Sequence, residues 1–264
     1  MQVMTAMLVV CALAVVWALL LLVLGWIAQF EWVAESLGWC NALLAHPHGS
    51  ATIGVAASAG LVWALIGAVR TIARHRAATA GLSPASGVQV LPCPEPIAYA
   101  VPGKPGHVVV SRGVLDLLDA DECAAMLAHE QSHLDRHHHR FVRIGEVAAG
   151  AVPPLRPMSR RLQFATERWA DEESARVVGD RTVVARALIK VSLARTAPAP
   201  AGALGMSGSG VPDRVEALLG GPPAAGIRAE ISLAASAVAL LAASAASTVQ
   251  FHHLLALAQH VCPL

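Results

Sequence analysis

No lysine or arginine occurs before residue 70 or after residue 228, and charged residues of every kind make up only 14% of the 264-residue chain. Aromatic residues are scarce too, at 4%. There is no basic run with interleaved aromatics, and the formal net charge is +1, so direct nucleic-acid binding is not expected. The five cysteines (Cys11, Cys40, Cys93, Cys123 and Cys262) contain no C-x-x-C pair, which excludes the spacing of a zinc knuckle and of a small disulfide framework. So little charge, with 55% hydrophobic residues and a mean hydropathy of +0.56, does not fit an ordinary soluble globule.

Three uncharged stretches account for the hydropathy. Residues 1–30 carry no charge, and the run from Val3 to Ala28 is long enough to cross a bilayer. No basic residue precedes it and it is too long for a signal core, so a retained span is expected rather than a cleaved leader. The second stretch, Ala51 to Val69, ends in Arg70, Arg74 and Arg76; the third, Ile231 to Phe251, follows Arg228. All 19 lysines and arginines lie from Arg70 to Arg228. The positive-inside rule then predicts a multi-pass plasma-membrane protein: spans at 1–30, 51–73 and 229–251, a cytoplasmic domain at 74–228, an extracytoplasmic loop at 31–50 and a short extracytoplasmic tail at 252–264. In the loop, Trp32 and Trp39 suit the membrane interface, and His46 and His48, flanking Pro47, are read as part of an interfacial turn.

Within the cytoplasmic segment, residues 77–87 read as a linker. Strands are predicted at Val88–Leu91, Ile97–Val101 and His107–Ser111, punctuated by Pro92, Pro94, Pro96, Pro102 and Pro105. Prolines confine such strands to the edge of a small sheet, and an exposed edge can hold an extended peptide as one more strand. A short helix follows at Gly113–Leu118. Asp119 with Glu122 three residues later then predicts a capping box at the start of a longer helix.

That helix carries His129-Glu130-Gln131-Ser132-His133. Two histidines four residues apart share one helix face and can hold one Zn²⁺, with the enclosed glutamate beside the metal-bound water. The run His137-His138-His139 is read as a solvated continuation of this helix. Phe141 to Leu155 is apolar apart from Arg143 and Glu146, its uncharged part Val147–Leu155 is too short to span, and it is expected to lie against the membrane. A helix from about Ser159 to Val178, closed by Gly179, holds Glu167 and Asp171. Zinc sites with two histidines on one helix commonly take a carboxylate from another. Glu167 suits that role and Asp171, one turn on, can hydrogen-bond the free ring nitrogen of a ligating histidine. Glu172 and Glu173 compete on the same helix. A helix over Thr182–Leu193, a mobile loop at 196–212 that is a candidate self-cleavage site, and a short helix Asp213–Leu219 complete the domain.

Taken in order, two N-terminal spans, Ala98-Tyr99-Ala100, Pro102-Gly103, Val108 to Leu115, Leu127-Ala-His-Glu-x-x-His and Glu-x-x-x-Asp resemble the BlaR/MecR-type integral-membrane metallopeptidases, most of all their short actinobacterial members. A broader resemblance is to the gluzincins that include Ste-type CAAX proteases and HtpX. The Glu-x-x-x-Asp helix follows with no pair of spans between, which favours the BlaR/MecR side. The resemblance covers roughly residues 50–220. It implies Zn²⁺ held by His129, His133 and Glu167, Glu130 as general base, Asp171 behind the ligands, and a substrate groove near Tyr99 and Arg214. It implies a protein substrate, for which a BlaI-like winged-helix repressor is the candidate. A histidine found ahead of that arginine in some relatives is replaced here by the region Ser207–Gly210, and no sensor domain follows the third stretch, so β-lactam sensing does not carry over.

The expected fold is an α-helical membrane protein with an α+β zincin-like metallopeptidase domain, three transmembrane helices and a small edge sheet. The expected function is zinc-dependent cleavage of a cytoplasmic protein. The alternative is a membrane signal transducer that uses the zincin fold without turnover.

Overall fold

A computed structural model describes residues 1–27, 30, 51–80, 86–194 and 210–220, with four single positions between 242 and 249. The chain forms two compact units. One comprises residues 1–5, 71–146 and 157–226; the other comprises 6–70, 147–156 and 227–264.

The second unit holds most of the two apolar helices. Helix α1 runs Gln2–Ile27 and helix α2 runs Ala51–Ala80. Both are long and apolar enough to cross a membrane, and α1 has no polar stripe. Leu13, Trp63 and Leu65 are more than half exposed, as suits surfaces turned to lipid rather than water. Small residues set the close approaches: a Cβ on Gly67 would overlap the Gly150 carbonyl oxygen, and one on Gly54 would overlap the Trp26 ring. Trp17 donates its indole N–H to Thr248 Oγ1 at 3.0 Å. The rest of the third apolar stretch, the loop 31–50 with His46 and His48, the tail 252–264 and residues 196–209 of the suggested self-cleavage loop lie outside the described residues. One boundary differs from expectation. Residues 77–80 are helical rather than linker, because Ala77, Ala78 and Ala80 are strong helix formers that simply extend α2.

The first unit contains a three-stranded sheet: β1 (Gly87–Leu91), β2 (Ala98–Val101) and β3 (His107–Ser111), in the order β1-β3-β2. The proline-free β3 is central and wholly buried. It pairs in parallel with β1 and antiparallel with β2, placing Tyr99 opposite Val109. The strands whose ends carry the prolines take the two edges, where a missing N–H costs no ladder bond. Ser111 ties the sheet to the next helix. Its hydroxyl donates to the Glu95 carbonyl at 2.6 Å and accepts from the Ile97 N–H at 2.9 Å, and it caps α3 (Arg112–Leu117) through the Val114 N–H. The chain passes so close to Gly113 that a Cβ there would overlap the Pro94 carbonyl.

Helix α4 (Ala120–Asp135) starts at the predicted capping box. Asp119 accepts from the Glu122 N–H at 2.9 Å, and the Glu122 carboxylate accepts from the Asp119 N–H at 3.1 Å. Glu122 is fully buried and also takes a charged hydrogen bond from Lys190 at 2.6 Å. Four elements follow: α5 (His138–Ala151), a 3₁₀ turn at Pro153–Leu155, α6 (Arg156–Val178) and α7 (Arg181–Ala194). Helix α8 (Val211–Leu219) comes after the undescribed loop. Gly179 (φ 75°) ends α6 and Gly210 (φ 77°) precedes α8, both in the left-handed region where glycine has no Cβ penalty. Ala125 and Met126 of α4 join Val110, Val114, Val184, Leu188 and Leu218 in the core, so the motif helix is held by the sheet on one side and α7 on the other.

The histidine run does not continue α4 into solvent. Helix α4 stops at Asp135, His137 adopts φ 53°, and α5 begins at His138, whose side chain is fully buried. A break was hidden from periodicity because no glycine or proline marks it.

Replacing Gly113 by valine should destabilise the protein by about 1–3 kcal/mol, since the obstructing atom is backbone and cannot swing away. The thermal unfolding midpoint of the detergent-solubilised chain measures this; an unchanged midpoint would contradict the close approach.

Candidate metal centre

Helices α4 and α6 run antiparallel, pinned where the Ser174 hydroxyl donates to the Ala125 carbonyl at 2.6 Å. This register sets the i, i+4 pair His129/His133 of α4 against the i, i+4 pair Asp171/Glu167 of α6. His129 Nε2 and His133 Nε2 are 3.2 Å apart, and Glu167 oxygens lie 3.5 Å and 3.6 Å from them. Each of the three residues offers one donor atom to a common point, and all three are buried.

Two tests ask whether a metal fits. A tetrahedral ion with bonds of about 2.0–2.1 Å separates its donors by about 3.3–3.4 Å, close to the spacings observed. Charge gives the second test. Glu130, Asp171 and Arg214 are fully buried and Glu167 is 4% exposed. Three carboxylates and one guanidinium leave −3 + 1 = −2, which a divalent cation cancels; an uncompensated charge of that size is costly in a desolvated interior.

The outer nitrogens fix which ring atoms face inward. His129 Nδ1 lies 3.1 Å from Asp171 Oδ1. An ionised carboxylate only accepts, so His129 carries its proton on Nδ1 and presents the Nε2 lone pair to the centre. Asp171 also receives two hydrogen bonds from Arg214, at 2.8 Å from Nε and 2.6 Å from Nη2. Burial would raise the Asp171 pKa, but these bonds and the His129 contact outweigh it and bring it down to about 2. Burial likewise works against a proton on His129, yet hydrogen bonding to Asp171 and Glu167 lifts its pKa to about 9. His133 is pushed well below its ordinary value, by burial first and then by the neighbouring positive charges.

The structure brings together five sequence-predicted residues: His129, Glu130, His133, Glu167 and Asp171. The competitors are engaged elsewhere. Glu172 accepts from Arg181 at 2.5 and 2.8 Å and from Arg168 at 2.7 Å, while Glu173 pairs at the surface with Arg176. Arg214 departs from its expected place in a substrate groove. It is fully buried, chelates Asp171 and reaches Glu167 with Nη1 at 3.0 Å, so it faces the ligands rather than a surface. Burial would weaken its proton, but the surrounding carboxylates, Glu130 included, hold it above its ordinary value. Tyr99 is half-buried on β2, an edge strand that packs against α4. A surface depression lined by Phe164, Arg168, Trp169 and Arg176 lies on the face of α6 away from Glu167 and Asp171.

Sequence reasoning missed His138, whose Nδ1 lies 2.9 Å from His133 Nδ1. On a continuous helix, residue 138 would be rotated by about 140° from residue 133 and point elsewhere. Only the bend at His137 returns it. Also missed were the Arg181 bonds to the Ala217 and Leu218 carbonyls, at 3.0 and 2.8 Å, which fasten the end of α8 and so hold Arg214 in place.

Comparison with known proteins meets this geometry. Residues 65–148 match the family model for Peptidase family M48, a stretch that includes His129, Glu130 and His133 but ends before Glu167. The chain is similar to proteins named Protease HtpX homolog. With that of Desulforapulum autotrophicum it is 30% identical over 148 residues, covering 52% of this chain and 47% of the relative. With that of Dictyoglomus thermophilum it is 34% identical over 100 residues, covering 35% and 33%. With that of Aquifex aeolicus it is 34% identical over 83 residues, covering 31% and 28%. The chain spans less than half the length of these relatives. No solved structure matches it. These similarities fall on the broader of the two resemblances seen in the sequence, the one that includes HtpX; the BlaR/MecR type is not among them.

Replacing Arg214 by methionine, of similar length but uncharged, should destabilise the metal-free chain by about 3–5 kcal/mol by stranding Asp171. Chemical denaturation of the chelator-treated protein checks this; a loss below 1 kcal/mol, the scale of exposed pairs, would mean that the cluster is solvated.

Proposed function

We propose that this chain is a membrane-bound zinc metalloendopeptidase that cleaves a cytoplasmic protein. The observation that carries the proposal is the convergence of His129 Nε2, His133 Nε2 and a Glu167 carboxylate oxygen on one buried point. The M48 match over the first two ligands and the similarity to proteins named as HtpX proteases support it. So do α1 and α2, each long enough to span a bilayer.

His129, His133 and Glu167 would hold the ion. When bound, zinc supplies a Lewis acid that acidifies water and polarises a carbonyl. Glu130 takes the proton of the attacking water and delivers it to the leaving amine. Asp171 keeps His129 in the Nδ1–H tautomer, and Arg214 neutralises Asp171 so that the buried carboxylate remains ionised. The strand β2 with Tyr99 is the candidate edge for an extended substrate, because it packs beside α4 and has one side unpaired within the sheet. The concentration of basic residues between Arg70 and Arg228 supports a cytoplasmic location for the centre and a multi-pass arrangement with a third span. A BlaI-like repressor as substrate rests on the sequence resemblance alone.

Glu130→Gln should retain one equivalent of zinc and lose cleavage by at least 10²-fold, the usual range for a general base. Comparing protein N-termini in cells carrying the wild type and Glu130→Gln identifies the substrate at the same time. Identical N-terminal profiles would favour the non-catalytic transducer. In the purified chain, Glu167→Ala should lower zinc content and chelation should abolish cleavage reversibly; Glu167→Ala with stoichiometric zinc would place the third ligand elsewhere.

A further inference from the structure

We infer that His138 is a positioning residue for the ligand His133: its Nδ1 accepts the proton on His133 Nδ1 and so selects the tautomer that leaves His133 Nε2 open to the metal. This rests on the metal centre proposed above. The two Nδ1 atoms are 2.9 Å apart, in a fully buried pair with ring centroids at 5.0 Å and planes at 78°. Between two neutral imidazoles, one Nδ1 must donate and the other accept. If His138 donated, the His133 proton would sit on Nε2, pointing at His129 Nε2 only 3.2 Å away, and the centre would lose a donor. The arrangement compatible with three ligands therefore makes His138 the acceptor, with its own proton on Nε2. That nitrogen is buried with no hydrogen-bond partner among the described residues, and the ring meets Trp169 edge-on at 6.4 Å.

The surrounding backbone is shaped for this contact. His137, a residue with a Cβ, takes φ 53°, a conformation disfavoured outside glycine, and the bend brings residue 138 under the ligand. The two ligating histidines are thereby held by different acceptors. His129 leans on the carboxylate of Asp171; His133 leans on a neutral ring, which adds no further negative charge to a cluster that a divalent ion already balances.

Cobalt(II) binding to the detergent-solubilised full chain tests the assignment, read by competition with a chromophoric chelator and by the visible d–d bands. His138→Phe fills the space without an acceptor, whereas His138→Asn keeps an acceptor near the Nδ1 position. Phenylalanine should weaken cobalt binding about 10–100-fold and shift the bands, and asparagine should restore affinity to within about threefold of the wild type with the wild-type bands. A phenylalanine variant that binds as tightly as the wild type, or an asparagine variant as weak as the phenylalanine one, overturns the role. Should His138→Phe fail to fold, His138→Leu, which also lacks an acceptor, takes its place under the same two criteria. A wild-type chain that takes up no cobalt fails differently, because it removes the metal centre itself.

Discussion

Charge balance in a desolvated cavity is the constraint on which this protein depends. Glu130, Glu167 and Asp171 are taken out of water together, and Arg214 answers Glu167 and Asp171 from within the fold. Burying an unpaired carboxylate is expensive enough to prevent folding or to force protonation. The fold meets the difficulty by layering. Arg214 sits behind Asp171, Asp171 sits behind His129, and His129 with His133 and Glu167 faces the point where a dication would complete the sum. Each layer orients the next, so that the geometry of His129, His133 and Glu167 is set by the groups behind them.

The same economy explains the helical scaffold. Helix α4 is capped at its start by Asp119 and Glu122, and Glu122 is in turn gripped by Lys190 of α7. Helix α6 is fixed to α4 through Ser174 and, through Glu172, to Arg181. Arg181 reaches on to the end of α8. A continuous set of polar links thus runs from the first turn of the motif helix to the helix that provides Arg214, alongside the apolar core of Met126, Val184, Leu188 and Leu218. Polar links of this kind specify position, while the apolar contacts supply most of the cohesion.

Much of this was legible in the sequence, and the failures have physical causes. The His129/His133 pair, the capping box at Asp119 and the strand His107–Ser111 all follow from short-range spacing, which survives without knowledge of the tertiary fold. Glu167 was separable from Glu172 and Glu173 only by resemblance, because a helix face rich in acids looks alike whether its partner is water, an arginine or a metal. For Arg214, nothing local reveals that an arginine on a short helix is wholly enclosed. His138 was misread because a bend made by a histidine in the left-handed region carries no glycine or proline signature. Residues 77–80 read as a linker on their small side chains, although a run rich in alanine equally continues a helix.

Arg214 also has a temporal meaning. It is encoded 43 positions after Asp171 and 47 after Glu167, by the numbering of the chain. During synthesis, the helix that carries Glu167 and Asp171 is made before the guanidinium that pairs with both of them. Until α8 arrives and docks, Asp171 lacks the guanidinium that favours its ionised form. The order of residues along the polypeptide therefore makes the pairing of Asp171 with Arg214 one of the last contacts of this unit that can form.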